Sequence, residues 1–181
     1  MNTASFFSFC SSLIFRRSRW AAIEMDERFV WSHWAHVARF FKMIPDGLRV
    51  KYLPETHLYK RGENDSFLGE SMVNRYRITI EGYDKLANTF FGKQSIEAAH
   101  IRRTIKAEHN LKSLLDAKLI CPQRGSQADL KVLNDLVSTL YFDPILSNQA
   151  SLLVYKYTPI FVLTIAKPMY RFIQSYILGV K

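Results

Sequence analysis

Cysteine is scarce in this chain: Cys10 and Cys121 are the only two among 181 residues, and they lie far apart. A disulfide framework and a cysteine-based zinc finger both need more cysteines than this, so both are excluded. A chain that uses so little cysteine is typical of a reducing compartment, and we expect no disulfide between the two.

Recognisable catalytic motifs are also absent. The sequence has no Gly-rich phosphate loop, dinucleotide-binding fingerprint or paired-cysteine zinc motif. The nearest approach to the tight Gly-x-Ser-x-Gly turn that presents a catalytic serine is at residues 69–73, and it lacks the second glycine. Because no set of nucleophile, base and electrophile can be identified, the sequence predicts a protein that is not an enzyme and needs no cofactor.

Acidic residues are missing from the first 23 positions. That stretch carries Arg16, Arg17 and Arg19 together with five serines, and its arginines follow an apolar run. An acid-poor, Arg- and Ser-rich amphipathic start is typical of a mitochondrial or plastid transit peptide, whereas a secretory signal places its charge first. We therefore expect residues 1–23 to be a transit-peptide-like basic arm that is not cleaved. An ordered arm that grips a partner is the alternative.

The whole chain is basic, with a formal net charge of +9. Such a charge suits an acidic partner, which could be nucleic acid, anionic lipid headgroups or an acidic protein surface. A hydrophobic content of 48% and an aromatic content of 14% exclude an intrinsically disordered chain, because that much apolar surface can offset the entropy lost on ordering.

Helical periodicity dominates from Asp26 onward, and the length of the chain suits one domain. The alternation at residues 75–80 would also fit a strand. The predicted fold class is mostly α: a small helical domain of about four helices with an N-terminal basic arm and an apolar C-terminal extension. The predicted helices cover residues 26–44, 70–91, 95–120 and 126–143.

The predicted helical domain occupies residues 24–143 and contains an irregular connection at 45–69, which Pro and Gly punctuate. So long a connection is uncommon inside a compact domain and suggests a segment that lies across a neighbouring subunit. Asp26 and Ser95 are the predicted N-caps of two helices. Gly82 falls inside a predicted helix, where glycine costs about 1 kcal/mol relative to alanine.

The last segment, 144–181, is the most apolar part of the chain, yet Lys156 and Lys167 interrupt it. A bilayer-spanning helix needs about 20 mostly apolar residues, so we expect no clean single span. The segment is predicted to be a tail that packs against other subunits or lies at a membrane interface. Burial in the protein's own core is the alternative.

These features together suggest more apolar surface than a monomer of this size needs, and such surface marks interfaces. We predict a non-catalytic accessory subunit of a mitochondrial inner-membrane complex, either of the respiratory chain or of ATP synthase. It would scaffold the other protein subunits of a large hetero-oligomer and contact anionic lipid. The alternative is a mitochondrial ribosomal protein that binds rRNA through basic helix faces.

The predicted site residues follow from that function, since aromatic and arginine side chains are the usual anchors of interfaces. No residue is predicted to be catalytic, to bind a cofactor or to hold a metal. The predicted partner contacts are Phe29, Trp31, Trp34, Phe41, Tyr155, Tyr157, Phe161, Tyr170 and Phe172. The predicted contacts to anionic lipid or phosphate are Arg16, Arg17, Arg19, Arg75, Arg77, Arg102, Arg103, Lys167 and Arg171.

Overall fold

A computed structural model describes residues 13–51, 53, 72–123 and 127–177. Within these ranges the chain is mostly helical and has no strand, which confirms the predicted fold class. The predicted count of about four helices is not confirmed, because eight α-helices are described there. They are α1 (Arg17–Ala21), α2 (Ala35–Met43), α3 (Met72–Phe91), α4 (Ile96–Glu108), α5 (Leu111–Gln123), α6 (Gln127–Leu140), α7 (Leu146–Tyr157) and α8 (Ile160–Ile177), and a 3₁₀ turn at Glu27–Phe29 precedes α2.

The described residues form two compact units. Helix α3 supplies its first residues to the second unit and the rest to the first. The predicted division of the chain into arm, domain and tail, with limits at residues 23 and 143, stays a prediction. The first unit holds residues 13–51, 53 and 78–107, and the second unit holds residues 72–77, 108–123 and 127–177.

The prediction of a helix over residues 26–44 is wrong for the first half of that range. Asp26 does act as a cap, but only of the 3₁₀ turn, where its carboxylate accepts a hydrogen bond from a backbone N–H at 3.1 Å. The chain then turns at Trp31, whose φ is 65°, and α2 begins only at residue 35. The Ser32 hydroxyl stabilises the turn by donating to the Phe29 carbonyl at 2.6 Å.

Trp34 explains why the chain turns there. Its indole Nε1 donates to the Ile78 carbonyl of α3 at 2.9 Å, and its ring lies 4.6 Å from the ring of Tyr83. A Cβ atom on Gly82 would lie 1.9 Å from that indole nitrogen. The close approach of the indole therefore requires glycine at a position where glycine otherwise weakens the helix.

The core of the first unit is rich in aromatic rings. Phe90 lies 5.8 Å from Phe29 and 6.1 Å from Phe41, so α3 packs on both the 3₁₀ turn and α2. Aromatic pairs at such separations add to the stabilisation that burial already provides. Further buried side chains of this unit are Trp34, Val37, Phe40, Ile80, Tyr83, Leu86, Ala98, Ile101 and Ile105.

Residues 13–23 lie against α2. Phe15, Trp20 and Phe40 form a cluster in which the ring centroids are 4.7–5.6 Å apart. The Arg39 guanidinium lies 4.5 Å from the centroid of the Trp20 ring, within the range of a cation–π interaction. The predicted basic arm is not confirmed: residues 1–12 lie outside the described ranges, and Phe15 and Trp20 pack on α2 within the first unit.

The helix predicted over residues 95–120 is two helices, α4 and α5. Ser95 is the N-cap of α4, as predicted, and its hydroxyl accepts a hydrogen bond from a backbone N–H at 3.0 Å. Asn110 begins α5, because its side-chain carbonyl accepts from the Ser113 N–H at 3.0 Å. His109 lies at the break between the two helices.

Helix α5 is the centre of the second unit, where it packs against α6, α7 and α8. Asn148 is buried beside this packing, and its amide donates to the Asp143 carbonyl at 3.1 Å. The buried apolar side chains are Val73, Leu114, Ala117, Leu119, Cys121, Leu133, Leu136, Val137, Leu140, Tyr141 and Tyr155.

The tail predicted at 144–181 is described up to residue 177 and consists mainly of α7 and α8. In the described part of the chain, every helix is too short or too polar to cross a membrane. Most of the connection predicted at 45–69 lies outside the described residues, as do residues 1–12.

Candidate functional site

A group of ionisable and polar side chains lies in the second unit, around the break between α4 and α5. We call it the His109 cluster. Helix α3 provides two of its members, the break provides one, α5 provides two and α8 provides one. The members are Arg75, Tyr76, His109, Ser113, Asp116 and Lys167.

His109 holds the centre of this cluster. Its Nε2 atom is buried and has no hydrogen-bond partner in the structure, which is uncommon for a buried polar atom. The imidazole ring packs edge-on against Tyr76, with 5.0 Å between the ring centroids. An unsatisfied buried nitrogen costs free energy, so it is a candidate position for a ligand or substrate group.

The electrostatics of the cluster keep the imidazole neutral. Burial lowers the pKa of His109 below its ordinary value of 6.5, and the positive charge of Arg75 lowers that pKa further. Burial also raises the pKa of the Tyr76 hydroxyl, and the Asp116 carboxylate raises it further. A neutral imidazole and a protonated phenol are therefore present together at neutral pH.

Tyr76 is held only loosely at its polar end. Its hydroxyl donates to the Ser113 carbonyl at 3.4 Å, which is long for a bond of this type. Beyond it, the Lys167 ammonium and the Asp116 carboxylate form an ion pair at 2.9 Å, and both side chains are partly exposed. The cluster thus combines a proton acceptor, a hydroxyl, a carboxylate and two cations, which suits acid–base chemistry on an anionic or polyhydroxylated ligand.

A second polar group in the same unit has a structural role. The Lys118 ammonium donates to the carbonyls of Tyr155 at 2.5 Å and Thr158 at 3.0 Å, where α7 ends. The Tyr155 hydroxyl in turn donates to the Asn134 side chain at 3.0 Å. Cations near the last carbonyls of a helix satisfy them and complement its dipole. Lys118 therefore joins α5 to the end of α7.

A comparable group of the first unit lies between α3 and α4. Arg102 donates to the Asp84 carboxylate at 2.6 Å, to the Asn88 side chain at 2.5 Å and to the Lys93 carbonyl at 3.0 Å. Only 11% of the Arg102 side chain is exposed. Its guanidinium is thus used to fasten two helices and a loop together.

The predicted partner contacts fall into two groups by exposure. Phe29, Trp34, Phe41 and Tyr155 are buried in their own units, whereas Trp31, Tyr157 and Phe161 are exposed. The side chains of Tyr170, Arg171 and Phe172, on α8, lie outside the described part of the structure. A partner contact by any of these residues stays a prediction.

The predicted phosphate or lipid contacts are divided between the two units. Arg75 and Lys167 belong to the His109 cluster, and Arg102 to the group just described. Arg77 donates to the Asn74 side chain at 2.6 Å. The remaining four are exposed: Arg16, Arg17 and Arg19 in or beside α1, and Arg103 on α4. Contact of these residues with lipid or phosphate stays a prediction.

His109, Tyr76 and Asp116 are not among the predicted site residues. The N-cap signal of Asn110 was available and would have placed His109 at a helix boundary. Burial of the imidazole depends on how α3 and α5 pack, and no local pattern carries that information. Among the described residues, no three His, Cys, Asp or Glu side chains are grouped to hold a metal ion.

Similarity to a known protein covers about half of this chain. No family model matches the chain, and no solved structure matches it. One stretch of the chain is similar to a bacterial glycosyltransferase. That relative is abequosyltransferase RfbV of Salmonella typhimurium, which is 34% identical over 88 residues, or 48% of this chain. The match covers 26% of the relative, so the chain spans about a quarter of the length of that protein.

This similarity overturns the predicted function. The predictions of a non-catalytic subunit of the respiratory chain or ATP synthase, of a mitochondrial ribosomal protein and of a mitochondrial inner-membrane location are wrong, because the relative is a bacterial enzyme. The prediction that the chain is not an enzyme is contradicted by the same finding. Within the acid-poor start, Phe15 and Trp20 pack on Phe40 of α2.

Proposed function

We propose that this chain is a helical part of a glycosyltransferase. The observation that carries the proposal is the 34% identity over 88 residues to an abequosyltransferase, an enzyme named for transferring a sugar. The shared stretch is 26% of that enzyme, so a complete active site would include further parts of a longer protein.

We assign the His109 cluster to the acid–base work of this reaction. In glycosyl transfer a hydroxyl oxygen of the acceptor forms a bond to the anomeric carbon of the donor sugar, and the bond to the leaving group breaks. The hydroxyl loses a proton, which the neutral His109 imidazole is suited to accept. The leaving group departs with negative charge, which Arg75 is suited to offset.

Access to the imidazole requires one side chain to move. Nε2 of His109 is buried, and the adjacent Tyr76 is fixed at its hydroxyl by a single long hydrogen bond of 3.4 Å. Rotation of the Tyr76 side chain would open a path to Nε2 at small cost in hydrogen bonding. Catalytic geometry in the absence of substrate is often incomplete in this way.

A transfer assay with the full chain tests the proposal. Nucleoside diphosphate sugars are supplied with a polyhydroxylated acceptor, and release of the nucleoside diphosphate and the mass of the product are measured. Transfer should be detected, and His109→Gln should lower kcat by about 100-fold or more, the typical worth of a general base. His100→Gln is the matched control, since His100 is exposed on α4 and should leave kcat unchanged.

A segment exchange covers the case in which the chain needs the rest of a longer enzyme. The stretch of the Salmonella enzyme that matches this chain is replaced by the corresponding residues of this chain, and abequosyl transfer is measured. Retention of transfer would support the proposal. A folded exchange variant without transfer, together with no transfer by the full chain, would contradict it. Transfer that His109→Gln leaves unchanged would remove His109 from the mechanism and keep the function.

A further inference from the structure

We propose that an apolar surface formed by α7 and α8 docks on the face of an anionic lipid bilayer. This inference does not rest on the proposed glycosyl transfer, because it follows from exposure and charge in the second unit alone. The α7–α8 surface consists of Leu146, Leu153, Val154 and Tyr157 on α7 and Phe161 and Ile165 on α8.

The α7 part of this surface is a continuous apolar stripe that faces outward. Leu146 is 84% exposed, Leu153 is 56% exposed and Tyr157 is 66% exposed. Their spacing of seven and then four residues places them on one side of the helix, together with Val154. The opposite side carries the buried Asn148 and Tyr155, so the exposed stripe is not the side that packs on α5.

Helix α8 also carries large exposed apolar side chains beyond the break at residues 158–159. Phe161 is 67% exposed and Ile165 is 61% exposed, and the two are one helical turn apart. Such a run of large exposed apolar side chains on two consecutive helices exceeds the scattered single residues that are normal on protein surfaces. A stripe of this kind marks a surface that is covered by something apolar.

The charge of this segment indicates what covers the exposed apolar stripe. Residues 144–181 contain four cationic residues and no acidic residue. Lys156 is exposed on α7, next to Tyr157 in the stripe, whereas Lys167 on α8 is held by Asp116 at 2.9 Å. Apolar side chains flanked by cations suit the boundary between acyl chains and anionic headgroups. A purely apolar protein partner would not account for the one-sided charge.

The length and polarity of α7 and α8 limit how deeply they can insert into a bilayer. Neither α7 nor α8 is long and apolar enough to cross a membrane. They would lie along the surface, with the apolar side chains inserted and Tyr157 at headgroup level, where its ring and hydroxyl meet both environments.

Vesicle flotation of the full chain tests this inference. The vesicles are phosphatidylcholine alone or an equal mixture of phosphatidylcholine and phosphatidylglycerol. The chain should float with the mixed vesicles and not with phosphatidylcholine alone. The double variant Leu153→Ser/Phe161→Ser should lower partitioning by about 100-fold or more, the effect of removing two inserted apolar side chains. Ile96→Ser is the matched control, because Ile96 is 77% exposed on α4 in the first unit.

The charge is tested separately from the apolar stripe. Lys156→Gln should lower partitioning into mixed vesicles by about fivefold, as expected for one basic residue at an anionic surface. Lys131→Gln, an exposed lysine on α6, is the control and should change it by less than about twofold. Helical content by circular dichroism confirms that each variant is folded.

A fluorescence measurement locates the contact. Phe161→Trp should show a blue-shifted emission on addition of mixed vesicles, while Ile96→Trp should not. Equal binding to both kinds of vesicle, or equal loss with the Ile96 variant, would overturn the proposal. So would a concentration-dependent dimer that Leu153→Ser/Phe161→Ser abolishes, since the stripe would then belong to a second copy of this chain.

Discussion

In the first unit a neutral indole fastens one helix to the backbone of another, whereas in the second unit a charged ammonium does so. Trp34 donates to the Ile78 carbonyl of α3, and Lys118 donates to the carbonyls that end α7. The indole loses little hydration on burial but is bulky, so the partner helix needs Gly82. The ammonium is slender and satisfies several carbonyls, but burial lowers its pKa. The Trp34 contact thus depends on shape, and the Lys118 contact on hydrogen bonding.

The largest effect is expected at the contact that depends on shape. Gly82→Ala should lower the free energy of unfolding by about 2–4 kcal/mol, because the new Cβ displaces the Trp34 indole from α3. This loss exceeds the gain of about 1 kcal/mol that alanine brings inside a helix. Chemical denaturation followed by circular dichroism measures the difference.

A double-mutant cycle separates the two contributions. Once Trp34→Ala has removed the indole, Gly82→Ala should become stabilising by up to about 1 kcal/mol, since only helix propensity remains. The sign of the effect therefore reverses between the two backgrounds. A destabilisation of equal size in both would show that the Trp34 contact does not explain the glycine.

The contact in the second unit should be weaker. Lys118→Met keeps the apolar part of the side chain but leaves the carbonyls at the end of α7 without a donor, which should cost about 2 kcal/mol. The loss is moderated because a buried charge is removed at the same time. Thermal unfolding measures it, with Lys131→Met as the control at an exposed position on α6. A cost equal to that of the control would mean that α7 needs no such cap.

Part of the fold could be predicted from the sequence. Helical periodicity identified the mostly α class and chose helix over strand for residues 75–80, and Ser95 was recognised as a cap. The turn at Trp31 was missed because the apolar spacing continues through it. Only the docking of Trp34 on α3, a contact between residues 44 positions apart, shows that the helix cannot start at residue 26.

The candidate site was harder to predict than the fold. Arg75 and Lys167 were noticed for their charge, but their proximity to His109 depends on the packing of α3, α5 and α8. The predicted function failed for a related reason. A basic, acid-poor and aromatic N-terminal stretch is equally compatible with a targeting signal and with packing on α2, and composition does not distinguish the two.

The smallest changes in stability should come from a change of pH. The two units should lose stability over different pH ranges. In the first unit the Asp26 carboxylate is bound by Arg28 at 2.7 Å, and this hydrogen-bonded ion pair lowers its pKa from 3.8 to about 2. A depressed carboxyl pKa contributes stability that is present above pH 3.8 and is lost as the pH falls through about 2. Asp26→Asn should therefore cost about 1–2 kcal/mol at neutral pH and remove this loss in acid.

In the second unit the sensitive group is His109, whose pKa is lowered below 6.5 by burial and by Arg75. Because the unfolded chain binds the proton more readily, stability should begin to fall as the pH drops below 6.5 and level off beneath the pKa of the folded state. His109→Gln should remove that slope without altering the loss caused by Asp26. Urea unfolding at pH 7, 5 and 3 measures both windows, with His100→Gln and Asp46→Asn as exposed controls. A slope between pH 7 and 5 that persists in His109→Gln would show that the imidazole is not buried in solution and would weaken the case for the His109 cluster.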